Sequence, residues 1–213
     1  MVSSTKDRIL DAAERLFADS GLRMTSLRDI TREAGVNLAA VNYHFGSKEE
    51  LLKGVLKRAF DPVNDARIVW LDDLEKKAGE DGPKLEDVLQ AFIGPPFDAW
   101  SQSGERGLRF LKLLGQILNQ AIQDLQALLL SQFDEVLERY TNALARALPL
   151  LESKEVRLRM LFVVGAMAQT LMFGSRPGQE THDLDQMRES LIRFAAVGCS
   201  AGPMDRVSEG GGS

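Results

Sequence analysis

Apolar positions along this chain recur at intervals of three and four almost from end to end, and no stretch alternates as a strand would. Ile9, Leu10, Ala13, Leu16 and Phe17 predict an amphipathic helix over Thr5 to Ser20, closed by Gly21. A second helix carries Leu27, Ile30 and Ala34 inward. Ser26 with Asp29 has the Ser-x-x-acid form of a helix start, and Gly35 ends the run, since glycine adopts the left-handed conformation without steric cost. Asn37 is a good N-cap for the next segment, Leu38 to His44, with Val41 and Phe45 on one face. Gly46 breaks the chain again. Ser47 and Glu50 then form a capping box for a helix from Lys48 that buries Leu51, Leu52, Val55, Leu56 and Phe60.

Beyond that point the pattern stays helical but is punctuated. Asp61-Pro62 is expected to end or kink the fourth helix, since proline lacks the N–H and clashes with the preceding turn. The pattern resumes through Leu74, and AGEDGP (78–83) reads as a loop. Leu85 to Ile93 is helical, and Gly94-Pro95-Pro96 is expected to interrupt it. SQSGERG (101–107) reads as another loop. Leu108 to Gln120 is apolar on nearly all sides, as in a helix buried among helices. Asp124 to Leu148 reads as one long amphipathic helix ended by Pro149. The last two helices are expected over about 154–174 and 183–199, and the Gly/Ser-rich tail 201–213 is expected to be disordered. The fold class is therefore all-α.

What the Leu38–His44 helix leaves outside changes the picture from architecture to function. Helix, glycine turn and second helix match the helix-turn-helix pattern, whose second helix enters the DNA major groove. With Val41 and Phe45 inward, Leu38, Ala39, Ala40, Asn42, Tyr43 and His44 are available to face outward. Alanine methyls can touch thymine methyls, and Asn42 has the donor and acceptor that suit an adenine edge. Tyr43 and His44 can donate to phosphates, and Lys48 lies in a first helical turn that already favours an anion. The plain alternative is a capped helical corner with a solvated polar face.

These residues carry a resemblance. GVNLAAVNYHFGSKEELL, with ILDAAERLFADSGLRMTSLRDIT before it, resembles the DNA-binding domain of the TetR/AcrR family of bacterial transcriptional regulators, without a gap from about Arg8 to Leu56. The marks are Ala12 to Phe17, Gly21, Thr25, Ile30, Ala34-Gly35-Val36, Tyr43, Phe45 and Lys48. The resemblance implies a three-helix head over 1–47 and a helical ligand-binding and dimerisation domain over 48–200. It implies DNA contacts from Ser26, Arg28, Leu38, Ala39, Ala40, Asn42, Tyr43, His44 and Lys48. It also implies a homodimer built from the last two helices. One departure is Asn42-Tyr43, where many members have Tyr followed by His or Trp. The run from Thr25 to Leu52, with RFLKLLGQILNQ (109–120), is further similar to fatty-acid-responsive members of the PsrA type. That implies a fatty acid or acyl-CoA as effector.

Composition bounds these readings. The chain has 213 residues, 44% hydrophobic, with a mean hydropathy of −0.15, and no apolar run of membrane-spanning length. The net charge of −5 at first argues against a DNA partner. Residues 1–60, however, hold ten Lys/Arg against eight Asp/Glu, so the acidity lies in the later part. Charges beyond about 10 Å are largely screened at 0.1 M salt, and a head of +2 predicts only weak non-specific affinity. A single cysteine, Cys199, and a charged amino terminus fit a reducing cytoplasm, with Cys199 a packing residue before a redox switch.

No catalytic constellation stands out. His44 and His182 lie apart, no closely spaced Cys/His ligands suggest a metal site, and neither GxGxxG nor a Walker loop suggests a nucleotide cofactor. The expectation is a non-enzymatic regulator, most simply a repressor, that binds palindromic operator DNA as a homodimer and is released by an apolar small molecule. The candidate pocket residues are Trp70, Phe97, Trp100, Phe110, Leu113, Leu114, Gln116, Ile117, Phe133 and Met167. The alternative is a helical ligand-binding or interaction protein whose head no longer reads DNA.

Overall fold

The structure, a computed structural model, describes residues 4–119, 123–174 and 184–203. The expected tail lies, from residue 204 onward, outside the described residues, as does His182. The described chain is helical throughout its regular structure: α1 (Thr5–Ser20), α2 (Leu27–Ala34), α3 (Leu38–Phe45), α4 (Lys48–Ala78), α5 (Leu85–Asn119), α6 (Gln123–Leu130), α7 (Asp134–Ala147), α8 (Ser153–Gly174) and α9 (Leu184–Ser200). A single 3₁₀ turn, Gly79–Asp81, follows α4 in the expected loop. The all-α expectation holds.

Two apolar cores organise the packing. The first collects Ile9, Leu10, Phe17, Ile30, Val41, Leu52, Val55 and Phe60, and takes in Leu113 and Ile117 from α5. The second collects Leu71, Leu89, Phe92, Ile93, Phe97, Tyr140, Leu144, Met160 and Leu191. Helix α4 feeds both, the first with its opening turns and the second with its later ones. A division at residue 47 therefore separates helices along the chain, whereas core packing continues to Phe60.

Three expected breaks fall elsewhere. α4 runs unbroken through Pro62, held by buried Leu56 and Phe60 before it and by Arg67 and Leu71 after it. α5 runs through Gly94-Pro95-Pro96, and its backbone leaves helical geometry only at Gly104 (φ 52°, ψ −135°). Proline in a helix removes the bond to the carbonyl four residues back. Pro96 thus frees the carbonyl of Phe92, and the Arg67 guanidinium on α4 supplies the missing donor, Nε to O 2.9 Å. The expected loop 101–107 is helical apart from Gly104. The expected long helix 124–148 is two helices. Between them Gln132 and Phe133 donate back only three residues, to Leu129 and Leu130, and Asn64 on α4 donates to the Gln132 carbonyl at 2.8 Å.

Candidate nucleic-acid interface and effector cavity

The helix-turn-helix is held by local capping. Ser26 accepts from the Asp29 amide, and Asp29 accepts from the Ser26 amide at 3.1 Å, a reciprocal capping box. The Ser26 hydroxyl, donating at 2.6 Å, holds the Asp29 carboxyl below its usual range. Gly35 ends α2 in the left-handed region (φ 62°, ψ 42°). Beside it Arg8 donates to the carbonyls of Ala34 and Gly35 at 2.6 and 2.8 Å, so this arginine caps α2 and is spent within the head. Thr25 is buried, with Oγ1 within hydrogen-bond distance of the Leu16 and Gly21 carbonyls, which closes the turn from α1 to α2. Asn37 caps α3 through the Ala40 amide at 2.9 Å. Ser47 accepts from the Glu50 amide at 3.1 Å, and Glu50 lies toward Lys53 at 4.0 Å, so this cap is one-sided.

α3 rests on Val41, which is fully buried, and on half-buried Phe45. Phe45 lies over Gly54 of α4, where a β-carbon would come within 3.1 Å of its ring. That close approach fixes the tilt of α3. Leu38, Ala39, Asn42, Tyr43 and His44 are exposed, Tyr43 to 86%. Tyr43 and His44 stack edge to face at 5.1 Å between ring centroids. Ala40 is half-buried against the head core, so its outward role shrinks to part of its surface. Ser26 and Arg28 are exposed at the start of α2, and Lys48 is half-buried. Among the described residues Arg28 and Lys48 enter no salt bridge, whereas Arg15, Arg32, Lys53, Lys57 and Arg58 of the same region are all paired. The cations beside α3 are thus left free.

Behind the head lies a cavity of about 550 Å³ walled by α4, α5, α6, α7 and α8. Of the ten candidate pocket residues, Trp100, Phe110, Leu114, Phe133 and Met167 line it. The other five do not, for identifiable reasons. Leu113 and Ile117 are fully buried in the head core. Gln116 donates to the Ala18 carbonyl at 3.0 Å, so that face of α5 meets α1. Phe97 is buried in the second core, and Trp70 lies against Gly94, whose missing side chain makes room for it outside the cavity.

The head reaches into the cavity wall through Glu14 of α1. Its buried carboxylate takes Arg58 of α4 at 2.7 Å and Arg106 of α5 at 3.2 Å. Arg58 also reaches Asp11 at 2.8 Å. Lys112 of α5 pairs with Asp19 of α1 at 3.1 Å on the surface. These ion pairs connect the cavity wall and α5 to α1.

A family description of bacterial regulatory proteins of the tetR family matches residues 9–55, and one of a tetracyclin repressor-like C-terminal domain matches residues 90–198. The chain belongs to the TetR family. HTH-type transcriptional repressor KstR2 of Mycobacterium tuberculosis is 38% identical over 140 residues, covering 58% of this chain and 69% of that protein. KstR2 of Mycolicibacterium smegmatis is 39% identical over 59 residues, 28% of this chain and only 29% of its own length. Among solved structures, the fatty acid degradation regulator FadR from Bacillus halodurans superposes with a TM-score of 0.66 at 16% identity, covering 93% of this chain and 97% of that one. At that identity the likeness shows the fold alone.

This TetR-family chain is thus a helix-turn-helix regulator of transcription, from a family of DNA-binding proteins and not of enzymes. Among the described residues no helix is long and apolar enough to cross a membrane, and no cluster of three His/Cys/Asp/Glu could hold a metal. Cys199 is buried, and burial pushes its thiol up, which makes it less nucleophilic. Sequence reasoning missed Arg67 and Glu14 as members of the cavity wall. Each is a charged residue in an amphipathic helix, a pattern that reads as surface.

Proposed function

We propose that the chain is a homodimeric repressor that reads a palindromic operator with α3 and leaves it when an apolar small molecule fills the cavity. The observation that carries the reading is the solvent-facing set Asn42, Tyr43 and His44 on a helix pinned from beneath by Val41. Ser26, Arg28, Leu38, Ala39 and Lys48 complete the face, with the exposed part of Ala40. Residues 1–47 serve as the reading head and 48–200 as the sensing and pairing unit. Two-fold symmetry would place the two α3 helices about 34–36 Å apart, one DNA turn, or a multiple of it.

Pairing is supported by the outer faces of α8 and α9. Phe162 is 62% exposed and Phe194 is 69% exposed, with Leu161 and Val197 beside them and Leu158 partly exposed. Apolar surface of this kind is a liability in a monomer and the normal core of a dimer interface. The repressor sign is supported by the names of the KstR2 relatives. An apolar effector is supported by the cavity, whose described lining is mostly apolar.

The test is a selection of genomic fragments bound by the purified full chain, followed by titration of the best fragment at several salt concentrations. Specific binding whose logarithm falls linearly with log salt, and a palindrome in the selected fragments, support the reading. A chain that retains no fragment above background refutes it in favour of a ligand-binding protein with a silent head.

A further inference from the structure

Resting on the reading of the cavity as the effector site, we propose that the effector is a compact organic anion on an apolar body, and that Arg67 holds its charge at the deep end. Arg67 is 1% exposed and forms part of the cavity wall. Its guanidinium reaches three groups: the Phe92 carbonyl, Asn64 Oδ1 at 3.2 Å and the thioether of Met167 at 3.4 Å, with its carbon 4.2 Å above the Phe92 ring. All are neutral, and the thioether is a weak acceptor. Guanidinium carries five N–H donors, so this arrangement leaves capacity unused. Among the described residues no carboxylate lies within salt-bridge distance. The comparison within the chain is Arg159, also buried, which has Glu155 and the carbonyls of Cys199, Ala201 and Gly202. One buried arginine has its counter-charge. The other faces an apolar cavity without one.

A buried charge without a partner is expensive, and an anion delivered by a ligand relieves that cost where a neutral head would not. The remaining charges on the described wall are Arg58, Arg106 and Glu14; both arginines hold the Glu14 carboxylate, although Arg58 Nε is buried without an acceptor, so among the described wall residues Arg67 is the cation with no carboxylate. Position then restricts the head. On that wall Gln102, Ser103 and Arg106 are exposed, whereas Arg67, Phe92 and Met167 are buried, so a head that meets Arg67 has passed beyond the exposed part of the wall. The anion must therefore enter first and be small. A free carboxylate satisfies this. A coenzyme A thioester, whose charges sit on a bulky nucleotide, does not. Because Arg67 also holds the carbonyl freed by Pro96, an arriving anion competes for the donor that ties α4 to α5.

The experiment is titration calorimetry of the full-length chain with four probes that share a twelve-carbon tail: dodecanoate, dodecan-1-ol, dodecyltrimethylammonium and dodecanoyl-coenzyme A. Dodecanoate should bind about tenfold or more tightly than the other three, the increment of a charge-assisted bond. In Arg67→Gln, whose amide can still donate toward Phe92, that advantage over the alcohol should fall to about threefold or less. If the variant fails to fold, the wild-type series still decides. Equal binding of acid and alcohol overturns the role of Arg67 and leaves the cavity reading intact. Tighter binding of the coenzyme A thioester or of the ammonium overturns the head-first anion. No binding by any probe removes the cavity reading, and this inference with it.

Discussion

Val41 and Asn42 are neighbours on α3, and the reading of that helix predicts opposite consequences for truncating each to alanine. Val41 is fully buried beneath the helix. Val41→Ala deletes two methyl groups, worth about 0.8 kcal/mol each by transfer, and the cavity left behind raises the loss to about 2–3 kcal/mol. For a chain of this size that is a fall of roughly 5–10 °C in melting temperature. Asn42 is exposed and caps nothing among the described residues. Asn42→Ala should change stability by no more than about 0.5 kcal/mol. Its cost should appear on DNA instead. A good bidentate base contact is worth about 1–3 kcal/mol, and a symmetric dimer makes it twice, so the preference for operator over unrelated DNA should drop at least about 30-fold. Thermal melts and anisotropy titrations of the selected operator against a scrambled duplex separate the two. An Asn42→Ala protein with its full preference, or one that melts as early as Val41→Ala, would refute the assignment of faces on α3.

Four further variants test the same geometry. Gly35→Ala forces a side chain into the left-handed region and sets its β-carbon 3.0 Å from Arg8 Nη2, so chemical denaturation should show a loss of about 1–2 kcal/mol. Lys48→Ala should weaken binding to all sequences alike and lower the salt slope by about one for each protomer, read from anisotropy at several ionic strengths. Glu14→Gln should cost about 2 kcal/mol in a melt, less than a fully enclosed pair because Arg58 keeps Asp11 and Arg106 is 53% exposed. In the same variant, saturating effector should release less operator than from wild type. On the proposed pairing through α8 and α9, Phe194→Glu should leave the chain monomeric at micromolar concentration by sedimentation, and operator binding should fall with it.

The head was readable because its signals are local. Ser26, Gly35, Asn37 and Ser47 act within four residues of themselves, so each cap could be placed from spacing alone. The second unit resisted for two physical reasons. α5 is apolar around most of its circumference, and one turn distributes neighbours to different surroundings. Phe110 and Leu114 line the cavity and only flank the head core, while Leu113 and Ile117 are fully buried within that core. Periodicity says that both stripes are buried and cannot say by what. The prolines failed as helix stops for a related reason. The rule that proline ends a helix supposes that nothing else satisfies the freed carbonyl, and at Phe92 the donor lies 25 residues earlier in the chain.

That donor links the misread prolines to the cavity. A helix that carries Pro95 and Pro96 in mid-span exposes carbonyl groups a regular helix would hide, and one of them draws a guanidinium into the interior. The charge comes to rest among Phe92, Met167 and Tyr140, whose hydroxyl donates to the Arg67 carbonyl at 2.8 Å. Burial pulls the Arg67 guanidinium down to about 10, which still leaves it protonated at neutral pH. The same residue thus holds α4 to α5 and stands charged at the end of an apolar cavity. α4 also packs its first turns into the head, so the tie at Arg67 acts on a helix that both units share. A ligand need not push the head directly. It need only offer Arg67 a better acceptor than the Phe92 carbonyl, and its differential affinity for the loosened α4–α5 pair then sets how far the equilibrium moves.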